Sequence, residues 1–463
     1  MTDTLRRQMP IPGKNLEERP NTGPAAAGKR LLLLAGKLGY QTRAFAEAAK
    51  RLGAQVVLGT DRCHQLDDPW ADGAVSLHFD DAERAAKTIL DQTQGAPVDG
   101  ILALGERPTE TAALVAKALG VVYNAPEAVR NCRSKLTQRE VLSSAGLPVP
   151  KFFSFSFSEP IEQVLRRVEY PCVVKPLVLS ASQGVIRANN AKEFIEAVER
   201  NRRLLHSPEI QVTREEGLDR LLVERYIPGG EVAVEGLLSD GKLRILAVFD
   251  KPDPLEGPYF EETIYVTPSR LHERLLKAVH ECAARTVAAL GLTEGPVHAE
   301  FRIEHKKQEP WVLEASPRPI GGLCARVLRF GPQRISLEEL LTRHALSMPG
   351  ADLVRESAAA GVMMIPVPVS GILEKVTGVD RAQSTPGIDA VEITARVHDA
   401  ITAWPEGSSY LGFIFARGED PAKVERSLRR AHVRMGFHIN ATLPVENPVT
   451  RRFQGMARHA TSS

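Results

Sequence analysis

From Lys29 onward the chain alternates short, wholly apolar runs with longer stretches whose apolar residues recur every three or four positions. Residues 31–34 (LLLL) predict a buried parallel strand, residues 42–52 an amphipathic helix stopped by Gly53, and residues 55–59 the next strand. The pattern returns at residues 98–104, a strand, and residues 109–119, a helix closed by Gly120. Strand–helix alternation of this kind predicts an open α/β sheet. Such sheets bind ligands beyond the C-terminal ends of their strands, which draws attention to the loops at 36–39 and 105–106. The first loop, GKLGYQ, lacks the GxGxxG spacing, and its glycines read most simply as a tight strand-to-helix turn.

Residues 134–145 predict a helix, and Gly146-Leu-Pro-Val-Pro150 stops it with a stiff extended linker. Beyond it the texture changes to α+β: short strands at 172–175, 184–188, 221–226 and 231–239, mixed with helices at 191–200 and 270–290. This character persists after about Gly350 and ends in a helix at 421–432, so a third domain is expected there. The expected organisation is a flexible tail (1–28), an α/β domain (29–122), a larger α+β domain (123–350), a small α+β domain (351–445) and a second tail (446–463).

The 463-residue length fits more than one core. A charged fraction of 25% beside 43% hydrophobic residues is the balance of a soluble globular protein. The net charge of +2, with Lys and Arg scattered, argues against a nucleic-acid partner, which calls for a basic stripe. Five cysteines (63, 132, 172, 282, 324) stand far apart without a CxxC pair, as in a reduced cytoplasmic protein. The opening residues are Pro-, Gly- and charge-rich, with no apolar core of signal-peptide length, and no apolar run is long enough to span a membrane.

Candidate chemistry centres on PVHAEFRIEH (296–305) and WVLEASPRP (311–319), two alternating flanks around a polar turn. A turn near Lys307 sets Glu300 opposite Glu314 and His298 opposite Ser316. Directly opposed residues have Cβ atoms roughly 5 Å apart, where like charges repel. Either the acids simply face water, or a hard cation such as Mg²⁺ offsets the repulsion. Arg318, four residues past Glu314, should share its strand face, and Gly321–Gly322 follow; a fixed cation beside a Gly-Gly loop suits an anionic reacting group. Lys175 ends the apolar run PCVV, and Ser180-Ala-Ser182-Gln-Gly184 offers close backbone approach to phosphates, though a plain hairpin turn is equally ordinary. In LVERYIPGGEVAVE (222–235), the strand edge at Glu224, Arg225, Tyr226 and Ile227 could pair with a flat base and Glu231 with ribose hydroxyls; an ordinary hairpin is the alternative.

The order of these features carries more than any one of them. SKLTQRE with Lys135, VVKP, the Ser/Gly loop, LVERYIPGGE, HAEF and LEASPRPIGG resemble the ATP-grasp superfamily, and more closely its carboxylate–amine ligase branch, which includes the L-amino acid ligases. GILEKVTGVDRAQSTPGIDAVEI and GSSYLGFIFARGEDPAKVERSLRRAH resemble the small C-terminal domain of those ligases. The resemblance implies a Rossmann-like pre-ATP-grasp domain, a central ATP-grasp fold and an α+β ligase-type domain. It implies ATP as cosubstrate, with Lys135 and Lys175 on its phosphates, Ser180–Gly184 as the loop that closes over them, residues 224–227 on adenine and Glu231 on ribose. It also implies Mg²⁺, or Mn²⁺ in its place, on Glu300 and Glu314, with Arg318 steadying an acyl phosphate. One position departs: the family places Asn two residues after the second metal Glu, and here stands Ser316, a shorter and poorer ligand.

The expected reaction joins a small carboxylate to an amine, releasing ADP and phosphate, with Gly321–Gly322 beside the tetrahedral intermediate. Arg326 is a candidate for a substrate carboxylate or a solvent-facing residue, and the Pro-rich loop 251–262 for specificity. Two alternatives stand beside this reading: a bicarbonate-activating carboxylase, and a non-catalytic nucleotide-binding protein. Homodimerisation follows from family habit alone.

Overall fold

The computed structural model describes residues 26–36, 39–61 and 74–441. Strands β1 (Arg30–Ala35), β2 (Gln55–Thr60), β3 (Ala74–Ser76) and β4 (Gly100–Leu104) form a parallel sheet in the order β3-β2-β1-β4. Leu31–Leu34 are fully buried, as a parallel strand covered on both faces requires. The flanking helices Tyr40–Leu52 and Thr109–Leu119 end at Gly53 and Gly120, both left-handed. The first helix begins two residues before its apolar periodicity predicts, and β4 starts at Gly100 rather than at residue 98. Residues 26–28, assigned to a tail on composition, are docked instead: Ala26 is buried and its amide donates to Leu52 O at 2.8 Å. The remainder of that tail, Cys63 and the tail at 446–463 lie outside the described residues.

A second, antiparallel sheet runs β5-β8-β6-β7, from β5 (Phe152–Ser156), β6 (Cys172–Pro176), β7 (Ile186–Ala188) and β8 (Arg220–Arg225). Helix Ala191–Leu205 covers one face, packing Phe194, Val198 and Leu205 against Val174 and Val223. The third sheet contains β9 (Gly229–Ser239), β10 (Lys242–Lys251), β11 (Ile264–Thr267), β12 (Gly295–Glu304) and β13 (Pro310–Ser316), ordered β13-β12-β9-β10-β11. It then continues through Ala359–Ile365, Gly412–Gly418 and Ile388–Ile393 without a break, so the sheet runs across the junction placed at residue 350. Helix Glu273–Leu290 covers β9 and β12 with Val279, Ala283 and Val287.

The β12–β13 register pairs His298 with Ser316 and Glu300 with Glu314, the pairing that the alternating flanks predict. The register slips just after Glu300, so Phe301 faces Val312 and Leu313 is the extra residue of a bulge. Gly229, at the turn into β9, has φ +151°, and a Cβ there would lie 1.8 Å from Ile303 O. Only glycine lets the turn approach β12 this closely.

Candidate active site

A cleft of about 740 Å³ opens where the three sheets meet. The β12–β13 hairpin supplies Glu300 and Glu314 to one wall. Glu300 Oε1 lies 3.1 Å from Lys251 Nζ and 3.3 Å from His298 Nε2. Burial by itself would raise its pKa, but Lys251 and His298 outweigh burial and hold it below the usual carboxylate range. Glu314 goes the other way. Burial raises it, Glu106 and Glu300 add to the rise, and Lys135, 3.7 Å away, only partly opposes it.

Arg318 does not lie on β13, which ends at Ser316. Pro317 and Pro319 take the chain off the strand, yet the guanidinium still enters the cleft, where Nη2 donates to Glu106 Oε1 at 2.9 Å. Glu106 follows β4 in the N-terminal sheet, and Ser316 Oγ also reaches it at 3.4 Å. Burial raises the Glu106 pKa, but the charges of Arg318 and Lys135 bring it below the ordinary value.

Behind Glu300 sits Lys251, the last residue of β10, with its side chain 3% exposed. Its ammonium contacts Glu262, and Glu231 at 3.4 Å, as well as Glu300. Burial would lower its pKa; the three carboxylates outweigh that and raise it. Oxygens of Glu231, Glu262 and Glu300 all lie within 4.8 Å of one another. Glu231 is further held by Arg302, whose Nη2 donates to Tyr226 Oη at 2.9 Å. His298 bridges Glu300 to the buried Glu235, Nδ1 to Oε2 at 3.1 Å, and Glu235 in turn accepts the Ile320 amide at 3.1 Å.

On the opposite wall, Lys175 Nζ lies 2.7 Å from Glu224, which also accepts from Arg139 Nε at 2.6 Å. Glu224 is therefore turned inward as a buried counter-ion. The amides of Arg225 and Tyr226 donate to Lys151 O and Pro171 O, and Ile227 continues the cleft wall. Lys135 Nζ donates to Leu179 O at 2.6 Å, at the entry to the loop carrying Ser180, Ser182 and Gly184. Gly184 has φ +75°, and a Cβ there would meet Asn201 and Pro176 under 3 Å.

The structure thus brings Lys135, Lys175, Ser180, Ser182, Glu224, Arg225, Tyr226, Ile227, Glu231, Glu300, Glu314, Ser316, Arg318, Gly321 and Gly322 to one cleft, while Gly184 lies at the end of the loop and does not line it. Arg326 is not brought there: it pairs with Glu392 and stacks 4.7 Å over the Phe415 ring. Lys251, Glu262, Glu106, Glu235 and Arg302 were missed as site residues. Two signals could have found some of them, since Glu106 lies in a flagged strand-end loop, and Lys251 and Glu262 bound the Pro-rich loop 251–262.

Residues 168–327 match the ATP-grasp domain, residues 46–121 the ATP-grasp N-terminal domain, and residues 363–439 the L-amino acid ligase C-terminal domain 2. The crystal structure of an L-amino acid ligase from Bacillus licheniformis superposes with a TM-score of 0.76 at 27% identity, covering 90% of this chain and 99% of that one. An uncharacterized protein, y4rH, from Sinorhizobium fredii is 24% identical over 89% of this chain and 83% of its own length. Alanine–anticapsin ligase of Bacillus subtilis is 25% identical over 53% of each chain, so the match spans about half of that ligase. Among the described residues no helix is long and apolar enough to cross a membrane. The chain thus carries ATP-grasp domains over residues 46–121 and 168–327 and, over residues 363–439, a C-terminal domain like that of the L-amino acid ligases.

Proposed function

We propose that this chain is an ATP-dependent, ADP-forming ligase that joins a small carboxylate to an amine, with Mg²⁺ held by Glu300 and Glu314. The observation that carries the reading is the cross-strand opposition of these two acids in a cleft that also holds Lys135, Lys175 and Arg318. The residues fit a divalent cation. Glu314 is half-buried beside two other carboxylates and has only partial compensation from Lys135 and Arg318. Bound there, Mg²⁺ would neutralise phosphate charge during transfer.

In the first step a substrate carboxylate oxygen attacks the γ-phosphorus of ATP, the bond to the β–γ bridging oxygen breaks, and ADP leaves. Lys135 and Lys175 would hold the phosphates, the 180–184 loop would cover them, and the segment at 226–227 would receive the adenine. The amine nitrogen then attacks the acyl carbon. The bond to the phosphate oxygen breaks, phosphate departs, and the nitrogen gives up a proton to leave the amide. Arg318 and the Gly321–Gly322 backbone would meet the oxygens of that intermediate.

The test is a matrix of acids and amines scored by ATP-dependent phosphate release and product mass. An amide formed one-to-one with ADP is the expected result. Phosphate release that needs bicarbonate and no amine would make the chain a carboxylase, and ATP binding without turnover in any pairing would make it a non-catalytic binder.

A further inference from the structure

Residues 179–184 cross the nucleotide side of the cleft in a conformation their side chains disfavour. Leu179, Ala181 and Ser182 have φ of 83°, 56° and 54°, in the left-handed region that L residues seldom occupy. Contacts from outside must hold such a segment. At its entry Lys135 Nζ binds Leu179 O.

Among the described residues, the other long-range hydrogen bonds to it come from residues 404–406. The Trp404 indole Nε1 donates to Ala181 O at 3.0 Å, across 223 residues of sequence. The Gly184 amide donates to Pro405 O at 2.9 Å, and Gln183 Nε2 to Glu406 O at 2.7 Å. Glu406 is itself fixed by Arg200, whose Nη2 lies 2.9 Å from Oε2 and whose Nη1 donates to Tyr259 Oη at 2.6 Å. Trp404 is buried, with its ring centroid 4.9 Å from that of Tyr410, a residue that lines the cleft. Two backbone carbonyls and an indole therefore grip consecutive parts of the loop from one side.

We propose that Trp404 and Glu406 are positioning residues: they seat the 179–184 loop over the ATP phosphates, so the C-terminal region governs how well the acyl phosphate is shielded from water. This rests on the loop's covering the phosphates, as in the reading above. The reaction held back is hydrolysis. Water oxygen attacks the acyl carbon, the carbon–oxygen bond to phosphate breaks, and free carboxylate, inorganic phosphate and a proton are released. ATP is then consumed without amide.

The test uses the full chain carrying Trp404→Phe, which keeps an aromatic ring beside Tyr410 while removing the N–H donor together with part of the buried indole. Glu406→Gln, at a partly exposed position, keeps the proposal testable should the first variant fail to fold. Two quantities are read: hydrogen exchange of amides 179–184 with a non-hydrolysable ATP analogue and Mg²⁺, and the ratio of ADP to amide. The opening equilibrium of the loop should rise about fivefold in Trp404→Phe, the equivalent of a hydrogen bond's net contribution of about 1 kcal/mol. The ratio should climb above one in step. Unchanged exchange in both variants overturns the latch, and faster exchange with the ratio still at one overturns its water-shielding role. A wild-type chain that makes ADP with no acid–amine pair sinks the ligase reading instead, and the exchange measurement still decides the latch.

Discussion

Lys251→Met removes one charge from the cleft and little volume. The lysine faces Glu300 at 3.1 Å, Glu231 at 3.4 Å and Glu262 in closer contact. Breaking a buried ion pair from one side costs about 3–5 kcal/mol, because the partner charge stays buried and uncompensated. Here Arg302 still holds Glu231 and His298 still touches Glu300, which places the expected loss at the lower end, about 3 kcal/mol near pH 8.

The sign of the pH dependence follows from the carboxylates. In the wild type the depressed pKa of Glu300 contributes stability that is present above its unfolded value and lost as pH falls through the folded one. Without Lys251, burial and the mutual repulsion of Glu262 and Glu300 raise both groups, so the variant is penalised as pH rises. The gap between the two proteins should already be present near pH 4, where the depressed Glu300 still contributes to the wild type, and widen toward pH 8 as the raised carboxylates of the variant must ionise. Because the three carboxylates have oxygens within 4.8 Å of one another, Mg²⁺ should partly close it. Urea unfolding followed by tryptophan fluorescence across that range, in EDTA and in MgCl₂, measures both effects. A gap below about 1 kcal/mol at pH 8, the size of an exposed pair, or one independent of pH would refute the assignment of Lys251 as the charge that binds this cluster together.

Four further outcomes are expected. Glu314→Gln should cut ADP production about a hundredfold or more, since a metal on a transferring phosphoryl group supplies several kcal/mol; unimpaired turnover would remove Glu314 from the metal. Ser316→Asn should lower the Mg²⁺ concentration needed for half-maximal ATP binding by about fivefold, one added ligand contact's worth, read by calorimetry; an unchanged Mg²⁺ dependence would place Ser316 outside the coordination shell. Arg318→Lys should leave the KM for ATP in place and lower kcat by about 10²–10³, the cost of one intermediate-stabilising group, and a change confined to KM would contradict that. His298 is pushed up to about 9 because its bonds to Glu235 and Glu300 outweigh burial. The stability that His298→Asn removes should therefore be largest below about pH 6.5 and fade as pH rises through about 9, and a urea series showing the reverse trend would contradict it.

What was legible in the sequence was whatever local period or punctuation encodes. The β12–β13 register followed from alternation around a Lys-Lys turn, and helix Pro421–His432 from its apolar spacing after a Pro start. Boundaries drifted where tertiary contact decides them: the helix read as 191–200 runs on to Leu205 because Leu204 and Leu205 are buried against the second sheet, and the strand read from 184 begins at Ile186. Strand continuity alone does not account for Arg318 in the cleft, since the prolines end the strand and Glu106 draws the side chain in. Buried ion pairs were the illegible class. Arg318–Glu106 spans 212 residues and Arg139–Glu224 spans 85, and no periodicity connects such partners. The continuity of the large sheet across residue 350 was hidden for the same reason, since β11 meets Ala359–Ile365 only in three dimensions.

The surroundings of Ser316 bear on how the departure from the family pattern is accommodated. The residue is 1% exposed, opposite His298, and its hydroxyl lies 3.4 Å from Glu106, a carboxylate that follows β4 of the N-terminal sheet. That same carboxylate holds Arg318, while Lys135 stands between Glu314 and the loop at 179–184. A serine there joins the N-terminal sheet to the hairpin that carries Glu300 and Glu314. An asparagine would present a carbonyl as well as an NH₂, and only one of these could face Glu106 without repulsion. On the proposed metal assignment, the site would exchange a metal oxygen for a tie between the two sheets, and Glu106 would be the residue through which motion of the N-terminal sheet reaches Arg318.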